Sequence, residues 1–538
     1  MNLIVIVMMM WSCSVLLSQE TWKKTFGGTA NEMGESITTT SDGGLVLTGS
    51  NASNNGDFKG MNKSSSRAIF VIKLDSLGNV LWKKTYGGSG NDYGYSIITT
   101  PDSGLVLTGS YASDDGDFEG MKKGYNDIFV IKLNSRGDIQ WKKTFGGSIA
   151  GTGLSITTTP DGGLVLTGSN ASDDGDFEGM FKDSNGSNGS NDIFVIKLDS
   201  RGDVQWKKTF GGSEDDVGYS IITTPDSGLV LTGRTSSNDV DFEGMNKGAY
   251  DIFVIKLDSR GDVQWKKTFG GSVVDDCYSI TTTPDGGLVL TGGTSSNDGD
   301  FNGINKGEVD IFVIKLDSRG DVQWKKTYGG SGSDRGNSIT TTPDGGLVLT
   351  GLNRSNDGDF QGMNKAADGN MFVIKLDSRG EVQWKKTFGG SVYDPGLSIT
   401  TTPDGGLVLT GSNTSDDGDF KGMNKGGYDI FVIKLDSNGN LNPPTSIDVQ
   451  SDILSSFDIT PNPLSSFSTI SYSLDKPSHV RIEVVNSIGE VVFVLSDKQE
   501  DVGSQQVSFN TTDLVTGTYS IRLIENNRVT SKRVIQMK

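Results

Sequence analysis

One aspartate recurs in a fixed context along most of the chain: Asp57, Asp117, Asp176, Asp241, Asp300, Asp359 and Asp419, each followed by Phe in a loop of the type DDGDF. Oxygen-rich loops suit Ca²⁺, which takes roughly six to eight oxygen ligands in a flexible cage. Asp114, Asp115 and Asp117, with backbone carbonyls, would offer one such set. The order is not that of an EF-hand, because no bidentate glutamate closes the loop. The residue two after the recurring Asp runs Lys59, Glu119, Glu178, Glu243, Asn302, Gln361 and Lys421, a variation that a required ligand would not show. The competing reading is that Asp and Asn fold the loop through side-chain to backbone hydrogen bonds. Calcium is the one cofactor for which candidate ligands exist; otherwise none is expected.

Other chemistry is sparse. The only histidine, His479, lies outside the repeated region, and the only cysteines are Cys13 and Cys277. Neither a Ser-His-Asp nor a Cys-His arrangement can be assembled from these, nor a zinc site or a disulfide framework. Cys277 stands where most sister connectors have Gly, and reads as drift. Carboxylates are plentiful, but a glycosidase needs two at a defined separation in one pocket, and near-identical repeats single out no pair. Arg-Gly-Asp occurs at 136–138, 201–203, 260–262 and 319–321, yet the equivalent turns read Leu-Gly-Asn (77–79), Arg-Gly-Glu (379–381) and Asn-Gly-Asn (438–440). Only the Gly is constant, as a tight turn demands. The repeated Gly-Gly lacks the Lys-Ser/Thr of a phosphate loop. No catalysis is expected, so the chain does not read as an enzyme.

What positions these residues is a repeat. WKKTF or WKKTY recurs at Trp22, Trp82, Trp141, Trp206, Trp265, Trp324 and Trp384, at spacings of 60, 59, 65, 59, 59 and 60 residues. Each period holds four strand-like runs: SITTT, LVLTG, IFVIKL and VQWKKTF. TPDGG and DSRGD turns join the first pair and the last pair, and a long polar loop joins the second run to the third. LVLTG and IFVIKL are apolar on both faces, as strands covered from both sides must be. The paired lysines of the fourth run suit an outer edge, where charge deters pairing with another chain. The copy at Trp22 has no IFVIKL before it, and the last IFVIKL, at 430–435, has no WKKTF after it. The expected fold is therefore all-β: a seven-bladed β-propeller over 19–441 with four-stranded blades, its N-terminal strand closing the last blade. In that arrangement short, near-identical turns occupy one end. Long loops and blade connectors such as SEDDVGYS and SVVDDCYS crowd the other, which is the expected working surface.

The formal net charge of −19 and pI near 4.6 argue against a nucleic-acid partner. Residues 1–18 are apolar and end at Ser18, which reads as a signal peptide. The period stops at a Pro/Asn-rich linker, 442–452, and short alternating strands over 453–538 predict a small Ig-like β-sandwich. Within it Val480, Ile482 and Val484 should face inward, with His479, Arg481 and Glu483 toward water.

Two resemblances add to this reading. The pattern DGGLVLTGS…DGDF…DIFVIKLDS.G.VQWKKTFGGS resembles the β-propeller repeats of exported Bacteroidetes proteins over roughly 21–437, and is silent on ligand. The C-terminal region resembles the type A sorting domain of the type IX secretion system. The matching residues are ITPNPLSSFSTISYSL (459–474), VVNSIGEVV (484–492), LVTGTYSIRL (514–523) and KRVIQMK (532–538). The resemblance assigns the sorting signal to Pro461, Asn462, Pro463, Gly489, Gly517, Tyr519, Lys532 and Lys538. It implies Sec export, then delivery by the type IX machinery to the outer-membrane surface or the medium. The whole reads as a monomeric, secreted or surface-displayed binding or adhesion scaffold for an extracellular protein or glycan. The alternative is a glycan-binding or glycan-degrading protein that uses the channel or the acidic loop face.

Overall fold

The computed structural model describes residues 20–62, 64–182, 190–441, 457–462, 464, 466–474, 476–486, 491–512, 514–525 and 528–536. The expected signal peptide (1–18) and the whole linker with the start of the next region (442–456) lie outside the described residues. So do Pro463, Gly489 and Lys538. Contacts divide the chain into two units, Met1–Pro444 and Thr445–Lys538.

The first unit is propeller-like, a succession of four-stranded antiparallel sheets. In the first sheet Glu32–Thr39, Leu45–Asn51, Ala68–Leu74 and Val80–Tyr86 lie side by side in chain order. Five further sheets repeat that order. In the seventh, Gly396–Thr401, Leu407–Asn413 and Asp429–Leu435 are followed by Trp22–Phe26 from the other end of the sequence. Trp22 lies opposite Lys434 and Phe26 opposite Ile430.

Burial follows the residue pattern. The second and third strands are buried along their whole length in every sheet but for single positions near the second strand's end, while the fourth is half-buried. The Gly-Asp-Phe element of the long loop forms a short 3-10 turn, and its Phe goes fully into the core: Phe58 lies 5.7 Å from Phe70, centroid to centroid. Burying one such ring contributes about 1.5–3 kcal/mol, and each sheet has its own. Neighbouring sheets share one apolar cluster. Leu47, Phe58 and Phe70 of the first sheet pack with Phe26, Val408 and Ile430 of the seventh.

The first strands also touch in succession, the last against the first. A serine of one accepts from an isoleucine amide of the next: Ile97 N to Ser36 at 3.3 Å, Ile399 N to Ser338 at 3.2 Å, and Ile37 N to Ser398 at 3.3 Å.

The outer strands do more than guard an edge. Each Trp lies over the turn glycine of the next sheet, so that a Cβ added at Gly320 would stand 3.0 Å from the Trp265 ring. That glycine also has φ of +82°, a second reason for its constancy. The second lysine of each pair bridges to the same turn, as Lys267 does to Asp321 at 2.7 Å. Arg-Gly-Asp is thus a structural turn whose Asp neutralises a neighbour's lysine. Cys277 lies within a first strand rather than a connector, and is fully buried against the Thr291 carbonyl at 3.5 Å.

The second unit is all-β. Asp458–Thr460, Phe467–Leu474 and Gly503–Asn510 form one sheet; Val491–Glu500, Ser478–Val485, Gly517–Glu525 and Arg528–Gln536 form another. Ile470 and Tyr472 of the first share a cluster with Val480, Ile482, Ile521 and Val534 of the second. One expectation needs correction: Glu483 is buried. The alternation holds, with Val480, Ile482 and Val484 in the core; Glu483 lies on the opposite face, where it is covered and pairs with Arg481 at 2.7 Å.

Candidate functional site

The seven recurring aspartates lie one per sheet and are not brought together. Each carboxylate takes the amide of the first glycine of the preceding connector, for example Gly27 N to Asp57 Oδ2 at 3.0 Å and Gly329 N to Asp359 Oδ2 at 3.0 Å. A lysine from the preceding sheet adds a charge in most copies: Lys247 to Asp300 at 2.6 Å, Lys306 to Asp359 at 2.8 Å, Lys365 to Asp419 at 2.6 Å. Asp57 receives Lys425, from the far end of the repeat region. The carbonyl oxygens of these aspartates accept the first lysine of their own outer strand, as Asp117 does from Lys142. Among the described residues no group of three or more His, Cys, Asp or Glu is placed to hold a metal.

A different set of residues converges at the end of the sheets that carries the long loops. In every first strand the register slips at one position, a β-bulge that re-aims a side chain. The bulged residues are Glu35, Tyr95, Leu154, Tyr219, Tyr278, Asn337 and Leu397, where the flanking positions barely vary. First strands adjoin one another, so these half-buried side chains converge, and we refer to this place as the axial mouth. Tyr219 and Tyr278, from adjacent sheets, stand 5.2 Å apart, and Tyr93 stacks on Tyr95 at 6.0 Å. Arg234 lies over the Tyr250 ring at 4.5 Å and approaches Asp276 at 3.4 Å; Tyr278 donates to the same carboxylate at 3.1 Å. Arg67 covers Tyr93 at 6.0 Å.

Electrostatics mark the same place. Burial pushes the Glu35 carboxyl up to about 7, against the pull of Arg67. Burial likewise raises Tyr95 to about 12, with the Glu35 charge adding to it. Nine arginines lie in 20–441: five belong to the turns after the third strand, and the other four are Arg67, Arg234, Arg335 and Arg354. In an acidic chain that grouping is distinctive. Sequence reasoning placed the working surface on this end but missed these residues. The available signal was the one position that reads Glu, Tyr, Leu, Tyr, Tyr, Asn and Leu between near-constant neighbours. The opposite end shows small clefts, one of about 140 Å³ lined by Thr40, Asp42, Lys73 and Ser103. Their polar groups are already paired, Lys73 with Thr40 and Asp42.

In the second unit, the sorting residues that are described join its two ends. The Asn462 side-chain Oδ1 accepts the Ile535 amide at 3.3 Å, Leu464 N donates to Ile535 O at 2.8 Å, and Lys532 pairs with Asp458 at 2.6 Å. Pro461 follows Thr460 at the end of a strand, Gly517 opens another, and the Tyr519 hydroxyl donates to Val515 O at 2.9 Å.

Comparison with known proteins agrees with this division. Residues 458–537 match the family described as the secretion system C-terminal sorting domain. An uncharacterized WD repeat-containing protein of Acanthamoeba polyphaga mimivirus is 21% identical over 70% of this chain and 34% of its own length. The regulatory protein FlaEY of Caulobacter vibrioides is 24% identical over 46% of this chain and 28% of its own. The chain thus spans about a third of the length of these curated relatives. Among solved structures, PorZ, a bacterial surface component of the type IX secretion system of Porphyromonas gingivalis, is 12% identical, with 93% of this chain and 58% of that chain covered and a TM-score of 0.37. A puromycin hydrolase is 10% identical, with 84% and 62% covered and a TM-score of 0.42. Residues 458–537 carry a type IX sorting domain, which implies interaction with that secretion machinery and export to the cell surface or the medium.

Proposed function

We propose that this exported chain is a non-catalytic binding protein: a closed, monomeric seven-bladed β-propeller displayed or released by the type IX system, followed in the chain by a small C-terminal β-sandwich, and binding its ligand at the axial mouth. Closure is supported by the pairing of Trp22–Phe26 with Asp429–Leu435 and by the Ser398 to Ile37 bond. The observation that carries the binding reading is where the repeats differ. Selection for the scaffold alone would leave the bulge position as uniform as its neighbours; instead it varies and gathers tyrosines, with arginines beside it. Loops and connectors on a rigid scaffold are the usual seat of recognition. Aromatic faces beside hydrogen-bonding groups favour the glycan form of this reading over a purely protein-binding one.

The test is a glycan and extracellular-protein array probed with the mature chain. Tyr219→Ala and Tyr278→Ala should lose the signal, while Arg260→Ala, in an exposed turn at the other end, should retain it. Turnover of any bound glycan that disappears in Glu35→Gln would overturn the non-catalytic reading.

A further inference from the structure

The charge at the mouth narrows the ligand. Of its four arginines, Arg234 is matched by Asp276 at 3.4 Å, Arg67 donates to the Asn31 carbonyl and to Ser50 at 3.2 Å each, and Arg354 donates to the Asp368 carbonyl at 3.0 Å. Burial raises the pKa of Tyr219, Tyr278 and Tyr393, and the charge of the exposed Arg335 opposes that rise in each, yet Arg335 forms no ion pair among the described residues. Arg67, Arg335 and Arg354 thus make no ion pair with a carboxylate among the described residues, and of the three Arg67 is the one that acts on Glu35. The Nε of Arg234 is itself buried without a hydrogen-bond acceptor. Tyrosine faces supply flat apolar contact, and a guanidinium supplies a planar fork that matches a carboxylate.

We infer that the mouth takes an acidic oligosaccharide, its sugar faces on Tyr219, Tyr278 and Tyr95 and a carboxylate on Arg335. The inference rests on the reading of the mouth as the binding site and adds the class of ligand. A protein ligand would need a broader apolar patch than these separated rings offer.

The experiment is isothermal titration of the mature full chain with galacturonate oligomers of four to six units, and with the same oligomers after reduction of their carboxyls to hydroxymethyl groups. The acidic oligomer should bind at least tenfold tighter than the reduced one. Arg335→Gln should abolish that difference. Tyr278→Ala should weaken both oligomers at least tenfold, with Tyr278→Phe recovering most of the loss, and unchanged melting of each variant shows that the fold is intact. Equal affinity for acidic and reduced oligomers overturns the acidic class and leaves the mouth standing. Binding of neither oligomer, beside array binding of a protein that Tyr278→Ala abolishes, also overturns the ligand class alone. Binding of both oligomers undisturbed by Arg335→Gln and by Tyr278→Ala overturns the mouth itself.

Discussion

Replacing Asp251 by Asn should stabilise the protein above neutral pH and leave it unchanged near pH 4. Asp251 opens a third strand and is fully buried beside the connector glycine Gly270. Its Oδ2 accepts Lys247 N at 2.8 Å, while its Oδ1 has no hydrogen-bond partner. Both that oxygen and Asp275 Oδ2 lie within 2.9 Å of the Cβ position of Gly270, so two carboxylates come together in a buried joint. The equivalent joint one sheet before the last carries Asn370. There the amide nitrogen donates to Gly390 O at 3.0 Å, and the amide oxygen accepts Lys365 N at 2.8 Å. Asp251 can make the same pair of bonds only when protonated. Burial accordingly pushes its carboxyl from 3.8 up to about 6, opposed by Lys247 and reinforced by Asp275 and Asp300. Asp310, facing Lys306, Asp334 and Asp359, and Asp429, facing Lys425, Glu32 and Asp57, are raised to about 6 in the same way.

A carboxyl raised on folding stabilises the native state most fully below its unfolded value near 4, and that contribution is lost as pH climbs through 6. Two units correspond to about 3 kcal/mol. Relaxation of the joint reduces this, and we expect Asp251→Asn to gain about 1–2 kcal/mol at pH 8. Urea unfolding of the mature chain at pH 4.5, 6 and 8 measures it. A variant that is destabilised at pH 8, or equally displaced at all three pH values, would refute the reasoning. An opposing set bounds the window. Against the cost of their burial, hydrogen bonds from Lys73 and Thr40 hold Asp42 down to about 2, and Asp102 and Asp226 follow with their own lysines. Their contribution is present above pH 4 and lost as pH falls through 2, so stability should peak near pH 4.

Val240 occupies a position that is Gly in the other six Gly-Asp-Phe turns, with φ of +47°, so Val240→Gly should add about 1 kcal/mol to urea stability despite removing a side chain. Gly320→Ala meets both a φ of +82° and the Trp265 ring and should cost about 1–3 kcal/mol. A chelator should leave the melting temperature unchanged, because the seven loop carboxylates already hold glycine amides; a drop of several degrees would restore the calcium reading. Deleting 453–538 should leave the protein in the periplasm, and normal surface delivery would refute the sorting role.

Much of the architecture could be read from local pattern alone. Runs apolar on both faces, such as 252–257, demand cover from both sides, and the orphaned strand halves at Trp22 and Ile430 require each other. The Pro-Asn-Pro and Gly-x-Tyr pattern at the C-terminus marked the sorting domain without any structure. What stayed hidden depends on contacts between sheets. The sequence favoured loop folding over metal ligation for the seven loop aspartates but could not name their partners; the tertiary structure delivers a glycine amide and, in most copies, a neighbour's lysine to them. Glu483 looked exposed, but its face of the strand is covered and Arg481 pairs with it. Tyr219 and Tyr278 are 59 residues apart and each looks like ordinary variation within its own repeat. Only the bulges and the meeting of adjacent first strands bring them within 5.2 Å, because side-chain convergence between sheets is a property of their arrangement and not of any one strand.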